Sequence, residues 1–102
     1  METMNIDDIR KHRALLRQIA LRHGITNIYV FGSVARGEST PASDVDFLLD
    51  MNRDASLFGV GGFIHDSSKL LGIKVDAVPR CVLAQVDDQA FAHRIQEEAV
   101  PL

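Results

Sequence analysis

The sequence predicts an α/β fold in which a small mixed sheet of three to four strands is flanked by helices, in the order αβαβαβα. Short apolar runs at residues 27–31, 45–49 and 73–78 are typical of strands, and the first is apolar on both alternations, as in a central strand covered on both faces. Stretches with helical spacing precede, separate and follow these runs. The chain has 102 residues, 46% of them hydrophobic, so we expect a single domain over residues 1–102.

The first helix is predicted over residues 6–23. Asn5 can cap its N-terminus, the acidic residues that follow suit the positive end of the helix dipole, and Gly24 can end the helix. The apolar residues that recur on one side, and that we expect in the core, are Ile9, Leu16, Ile19 and Ala20.

Two further long helices are predicted in the second half of the chain. One spans residues 56–71, with Ser56 as its cap, and carries three glycines, each of which costs about 1 kcal/mol of helix stability relative to alanine. We therefore expect close packing or a break at Gly59, Gly61 and Gly62. The strand at 73–78 follows and is closed by Pro79.

The last helix is predicted over about residues 87–99. Its residues at a spacing of four, which we expect to face the core, are Phe91, Ile95 and Ala99. Cys81, between the last strand and this helix, is interpreted as a small packing residue.

A glycine-rich turn follows the first strand and is a candidate phosphate site. Gly32 permits a tight turn and a close approach of a ligand to the backbone, and Ser33 can cap a short helix over residues 34–36. Backbone N–H groups and the Ser33 hydroxyl can together hold the terminal phosphates of a triphosphate. Arg36 either adds positive charge there or braces the loop.

Two carboxylates stand at the entry to the second strand. Asp44 and Asp46 are two residues apart, so their side chains project from the same face of a strand. Like charges this close are costly to bury without a positive partner. Oxygen ligands suit a hard divalent ion such as Mg²⁺, which takes its further oxygens from water and phosphate. The pattern therefore points towards a nucleotide.

Gly32-Ser33, ten residues, and then Asp44-Val45-Asp46 resemble the signature of the DNA polymerase beta-like nucleotidyltransferase superfamily. The runs Gly-Ser-Val-Ala-Arg-Gly and Ser-Asp-Val-Asp are similar to those of its minimal nucleotidyltransferase branch, and the likeness extends over most of the chain. The resemblance implies the nucleotidyltransferase fold, a triphosphate-binding role for Gly32, Ser33, Arg36 and Ser43, and a third acidic residue on a neighbouring strand. Asp76, within residues 73–78, is the candidate for that third position.

The three aspartates predict a two-metal phosphoryl-transfer site. If Asp76 lies beside Asp46, it either ligates the metal or takes a proton from the attacking hydroxyl. Two Mg²⁺ ions about 4 Å apart, held by Asp44, Asp46 and Asp76, would then bridge the triphosphate, so that a nucleoside monophosphate is transferred.

The resemblance also implies a partner and an acceptor. Within this branch we expect an antitoxin that uses ATP to adenylylate a tyrosine hydroxyl of a HEPN-class ribonuclease toxin. Two alternatives remain open. One is an antitoxin that neutralises the toxin by binding alone, and the other is a nucleotidyltransferase acting on a small molecule such as an antibiotic.

Composition and motif spacing exclude several other classes. A net charge of −3 and a pI near 5.7 provide no global basic field, so we expect no direct nucleic-acid partner. Glu38 stands where a P-loop needs lysine, and the four histidines lack paired metal-ligand spacing. A single cysteine cannot form an internal disulfide, and every apolar run is shorter than the ~18 residues of a membrane span. We expect a cytoplasmic protein.

Overall fold

The computed structural model describes residues 4–40 and 44–102 and contains one four-stranded mixed sheet in the order β3-β2-β1-β4. The strands are β1 (Ile25–Phe31), β2 (Val45–Met51), β3 (Val75–Pro79) and β4 (Val100–Pro101). β1 is antiparallel to both β2 and β4, whereas β2 and β3 are parallel. The predicted α/β class and mixed sheet are confirmed.

Helices cover both faces of this sheet. They are α1 (Ile6–Arg10), α2 (Arg13–Arg22), α3 (Gly32–Ala35), α4 (Phe58–Leu71), α5 (Arg80–Leu83) and α6 (Gln89–Glu98). Side chains alternate across β2, so Phe47 joins the large core with α1, α2 and α4, while Leu48 joins a smaller core with α5 and α6. Within the described residues, the longest helix has 14 residues, and none is long and apolar enough to cross a bilayer.

The predicted helix over residues 6–23 is two helices. α1 begins with a capping box, in which Asn5 Oδ1 accepts from the backbone N–H of Asp8 at 2.9 Å and Asp8 Oδ2 accepts from that of Asn5 at 3.1 Å. After Arg10 the backbone tightens, because the N–H of His12 donates to Ile9 at 3.0 Å, three residues back. The four predicted core residues are nevertheless buried, with exposures of 0–8%.

Two of the three glycines of α4, Gly59 and Gly62, serve packing, and the helix runs through all three without a break. A Cβ on Gly59 would meet the backbone oxygen of His23, and one on Gly62 would meet its imidazole ring. His23 Nε2 lies 3.0 Å from Asp66 Oδ2, which secures the same contact between α2 and α4. Ser56 accepts from the N–H of Phe58 at 3.1 Å, but the helix begins two residues later than predicted.

Several details of the C-terminal third differ from prediction. Pro79 lies within β3, paired with Leu49, and α5 follows it directly. Cys81 is exposed, so its assignment as a packing residue was wrong. The Asp88 side chain caps α6, and this helix buries Ala92 and Ile95, whereas Phe91 is 47% exposed. The small side chain of Ala92 suits the contact with the sheet, which explains why the predicted core position of Phe91 was wrong.

Candidate active site

The parallel pairing of β2 with β3 places Asp46 directly opposite Asp76. On its other side, Asp46 is paired with Phe31, the last residue of β1. Because side chains at paired positions of adjacent strands share a face, the two carboxylates emerge from the same face of the sheet. The predicted neighbour relation of Asp46 and Asp76 is therefore present.

The folded protein disfavours the ionised form of Asp46. Burial raises the pKa of Asp46, and the negative charges of Asp76 and Asp44 raise it further, while the positive charge of Arg36 opposes them. All three predicted aspartates thus lie within electrostatic reach of one another. A bound cation would relieve this repulsion.

Asp44 is directed towards a lysine that the sequence reasoning did not consider. Its Oδ2 lies 3.6 Å from Nζ of Lys74, whose backbone oxygen accepts from the N–H of Val45 at 3.0 Å. Across residues 4–40 and 44–102, this conformation contains no group of three His, Cys, Asp or Glu side chains placed to hold a metal ion. The metal-ligand roles of Asp44, Asp46 and Asp76 consequently stay a prediction.

Gly32, in the turn after β1, lies against Asp46. We call the end of the sheet that carries Asp44, Asp46 and Asp76 the acidic edge. The φ of Gly32 is +76°, in the left-handed region, and a Cβ there would lie 2.5 Å from Asp46 Oδ2. Both the backbone conformation and the contact therefore favour glycine. Phe31 occupies the N-cap of α3, so Ser33 is the second residue of this short helix, whereas it was predicted to cap it.

Arg36 braces the turn, which was one of its two predicted roles. Its Nε lies 3.0 Å from Glu38 Oε2, and its Nη1 lies 3.0 Å from Glu98 Oε2. Hydrogen bonding to Glu38, with further contributions from Glu98, raises the pKa of Arg36 despite burial. Sequence reasoning missed Glu98, which is 62 residues away and has no local signal. Ser43 lies outside the described residues.

A second polar cluster occupies the opposite end of the same sheet face. Asp50 Oδ1 lies 2.7 Å from Arg80 Nε, and its Oδ2 accepts from Asn27 at 3.3 Å. The Arg80 guanidinium carbon lies 4.9 Å from the centroid of the Tyr29 ring. Burial alone raises the pKa of Asp50, but hydrogen bonding to Arg80 and its charge, with bonds from Tyr29 and Asn27, outweigh burial and lower it.

Two concavities among the described residues lie away from Asp44, Asp46 and Asp76. One, of about 300 Å³, is lined by α2, β1 and the C-terminal residues, and the other, of about 740 Å³, by the end of β2 with Asp50, the loop that follows it, and α5.

The glycine turn against the acidic edge, within a small mixed sheet, indicates a nucleotidyltransferase. Comparison with known proteins supports this class of enzyme. The family described as nucleotidyltransferase domain matches residues 9–101, so the chain belongs to the nucleotidyltransferase family and is an enzyme of that class. The resemblance described above is thereby confirmed.

Individual proteins agree with this assignment. The chain is 39% identical over 72 residues to protein adenylyltransferase MntA of Thermococcus cleftensis, covering 71% of this chain and 70% of that protein. A solved structure, named provisionally as a minimal nucleotidyltransferase, aligns with a TM-score of 0.79 and 30% identity over 97% of both chains. The fold also matches a crystal structure of a toxin-antitoxin with AMP-PNP, with a TM-score of 0.64, 15% identity and coverage of 82% of this chain and 66% of that one.

Proposed function

We propose that this protein transfers AMP from ATP to a tyrosine hydroxyl of a HEPN-family ribonuclease toxin and thereby neutralises the toxin. The observation that carries the proposal is the register that sets Asp46 opposite Asp76, with Asp44 in electrostatic reach. A protein adenylyltransferase among its relatives and a toxin-antitoxin among its structural neighbours support the reaction and the kind of partner. We place this activity in the cytoplasm, as part of a hetero-oligomer with the toxin.

The acidic edge fits Mg²⁺ by its chemistry. The donors are carboxylate oxygens, which Mg²⁺ prefers, and burial together with the charges of Asp76 and Asp44 raises the pKa of Asp46, so a bound cation would stabilise its ionised form. Asp44, Asp46 and Asp76 would hold two ions, which when bound polarise the phosphoryl group and lower the pKa of an attacking hydroxyl.

The chain's own residues position the reactants. The Gly32 backbone, the Ser33 hydroxyl, Arg36 and Ser43 bind the triphosphate, and the lack of a side chain at Gly32 keeps the space beside Asp46 open. The tyrosine oxygen attacks the α-phosphorus, the bond to the bridging oxygen breaks, and pyrophosphate leaves. Asp76, exposed in the edge strand β3, would accept the proton of that hydroxyl unless it serves as a metal ligand.

Labelling of the partner tests this proposal. The protein is incubated with ATP labelled in its α-phosphate, Mg²⁺ and the product of the neighbouring toxin gene, in parallel with Asp44→Ala and Asp46→Ala. We expect AMP on a toxin tyrosine with the unaltered protein and a loss of at least ~10³-fold with either variant, because the charge that organises phosphoryl transfer is removed. An unlabelled toxin in the presence of bound nucleotide would refute the transfer.

A binding-only antitoxin is the second candidate. The conformation described above, in which Asp44 faces Lys74 and the described residues hold no three-ligand metal group, is the observation that favours it. Neutralisation in cells distinguishes the two, because Asp44→Ala and Asp46→Ala would keep full protection if covering the toxin were sufficient.

A further inference from the structure

Arg36 connects the phosphate turn to the C-terminal helix. The residue directly follows α3, and Glu98, which accepts from its Nη1 at 3.0 Å, is the last residue of α6. The bridge therefore joins two elements that are far apart in the sequence. Because Ala92 and Ile95 of α6 pack with Leu48 of β2 in the smaller core, the bond ties the guanidinium to a helix that is fixed on the sheet.

The two glutamates that hold Arg36 are not equivalent. The side chain of Glu98 is 24% exposed, whereas that of Glu38 is 66% exposed and follows Gly37 in the turn itself. Water competes less with a hydrogen bond at a sheltered site, and a carboxylate on a packed helix loses less side-chain freedom when it binds. Hydrogen bonding to Glu38 contributes most to the raised pKa of Arg36, but Glu98 lies on a packed helix, so Glu98 is the partner that ties the guanidinium to a fixed part of the fold.

The position of Arg36 also matters to the acidic edge. Its charge lowers the pKa of Asp46, so the guanidinium that Glu98 holds lies within electrostatic reach of this aspartate. The hydrogen bonds to Glu38 and Glu98 use Nε and Nη1, and neither of them uses Nη2. Because a guanidinium is planar, fixing two of its nitrogens sets the direction of the remaining N–H groups.

We propose that Glu98 is a positioning residue for the nucleotide, which holds Arg36 so that its remaining N–H groups donate to the triphosphate. Glu98 itself does not touch the nucleotide. The proposal rests on the nucleotide-binding part of the proposed function and gives a role to a residue far in the sequence from the turn and the aspartates. Its effect belongs to ground-state binding, so it appears in KM for ATP and leaves kcat nearly unchanged.

The first experiment compares Glu98→Ala, Glu98→Gln and Glu38→Ala, with Glu97→Ala as the matched control. Glu97 is the neighbouring residue, 67% exposed and paired with His93. Binding of an ATP analogue with an α,β-methylene bridge is measured by calorimetry, and kcat and KM by AMP transfer. We expect Glu98→Ala to weaken binding and raise KM by roughly tenfold, Glu98→Gln to lie between, Glu38→Ala to change either by at most about threefold, and Glu97→Ala to change neither.

A double-mutant cycle shows whether Glu98 acts through Arg36. In an Arg36→Ala background, Glu98→Ala should produce no further loss, because the group that it positions is gone. An equal loss in both backgrounds, or tighter nucleotide binding by Glu98→Ala, would overturn the proposal. If Glu98→Ala fails to fold in thermal unfolding, the isosteric Glu98→Gln carries the same comparison.

Failure of this inference is distinguishable from failure of the proposed function. An unaltered protein that binds the analogue while Glu98→Ala binds it equally well refutes the role of Glu98 alone. An unaltered protein that binds the analogue but labels no toxin refutes the acceptor and leaves the binding comparison valid. An unaltered protein that binds no analogue in the presence of Mg²⁺ refutes both.

Discussion

Each end of β2 carries an aspartate on the same face of the sheet, but the two aspartates have opposite pKa shifts. Asp46 and Asp50 are four residues apart, yet the pKa of Asp46 is raised and that of Asp50 is lowered. At the Asp50 end, an arginine, a tyrosine and an asparagine satisfy the carboxylate. At the Asp46 end, the nearest charges are mostly other carboxylates. The direction of the pKa shift of each aspartate is therefore set by its surroundings and not by the strand on which it lies.

The difference separates a carboxylate whose charge is satisfied by its neighbours from one whose charge is not. The Asp50 cluster stabilises the fold by satisfying a half-buried charge, whereas the Asp46 end leaves a charge whose ionisation the folded state opposes. Functional sites often retain such unfavourable electrostatics, because a ligand later compensates for them. Each of the following predictions tests that contrast.

The largest effect is expected for Asp46→Asn. AMP transfer should fall by at least ~10³-fold, because a carboxylate of the phosphoryl-transfer site is lost. The melting temperature of the ligand-free protein should rise, since a raised pKa means that ionised Asp46 destabilises the fold above that pKa. Labelled ATP and thermal unfolding at pH 7 measure the two effects. A lower melting temperature would contradict this account of the acidic edge.

The effect of Mg²⁺ on the melting temperature should also distinguish the two ends of β2. Excess Mg²⁺ should raise the melting temperature of the unaltered protein, because a ligand that binds only the folded state stabilises it. Asp46→Asn should lose most of this increase, whereas Asp50→Asn at the other end of β2 should keep it. An equal increase in all three proteins would place the bound ion elsewhere.

Gly32→Ala is expected to have the next largest effect. The substitution introduces a Cβ at a positive φ and 2.5 Å from Asp46 Oδ2, so we expect a loss of about 1–3 kcal/mol in the free energy of unfolding. Gly37→Ala is the matched control. Its φ is +73°, but within the described part of the chain its Cβ would meet no atom within 4 Å, so it isolates backbone strain. Urea unfolding should show the larger loss for Gly32→Ala.

Asp50→Asn should destabilise the protein moderately. Arg80 is 39% exposed, so solvent screening limits the expected loss at pH 7 to about 1 kcal/mol. A lowered pKa means that the contribution of Asp50 is present above its unfolded pKa, about 3.9, and is lost as pH falls through the folded pKa. Urea unfolding over a pH series should therefore show a shallower acid dependence for the variant, and AMP transfer should persist.

The smallest effect is expected at Gly61, remote from both ends of β2. It lies inside α4, and among the described residues its Cβ would meet nothing within 4 Å, so Gly61→Ala should stabilise the protein by up to ~1 kcal/mol. Gly62→Ala should destabilise it instead, because the new methyl group would strike the His23 ring. The difference in melting temperature between Gly61→Ala and Gly62→Ala measures the size of a purely steric effect. Similar shifts in both variants would contradict the described packing of α4 on His23.

Local patterns in the sequence predicted much of the fold and the site. Apolar runs identified the three main strands, and the spacing from Gly32 to Asp44 and Asp46 identified the turn and the acidic edge. These features depend on residues close together in the chain, where backbone geometry makes side-chain direction predictable.

The features that prediction missed depend on contacts between distant residues. The bond from Arg36 to Glu98 joins residues 62 apart, and the pairing of Arg80 with Asp50 joins residues 30 apart. The burial of Ala92 in place of Phe91 depends on how closely α6 approaches the sheet. β4 has only two residues, too few for a periodic signal of its own.

The length of the connection between α4 and β3 helps to determine which face of the sheet carries Asp76. The connection consists of residues 72–74, and it begins at Gly72, whose φ of +68° turns the chain out of the helix. A slip of β3 by a single position would send the Asp76 carboxylate through to the other side of the sheet. An insertion or deletion there that shifted the register would therefore separate Asp76 from Asp46 while every aspartate stayed in the sequence. The interval of four residues from Gly72 to Asp76 is thus a constraint on the predicted site in addition to the aspartates themselves.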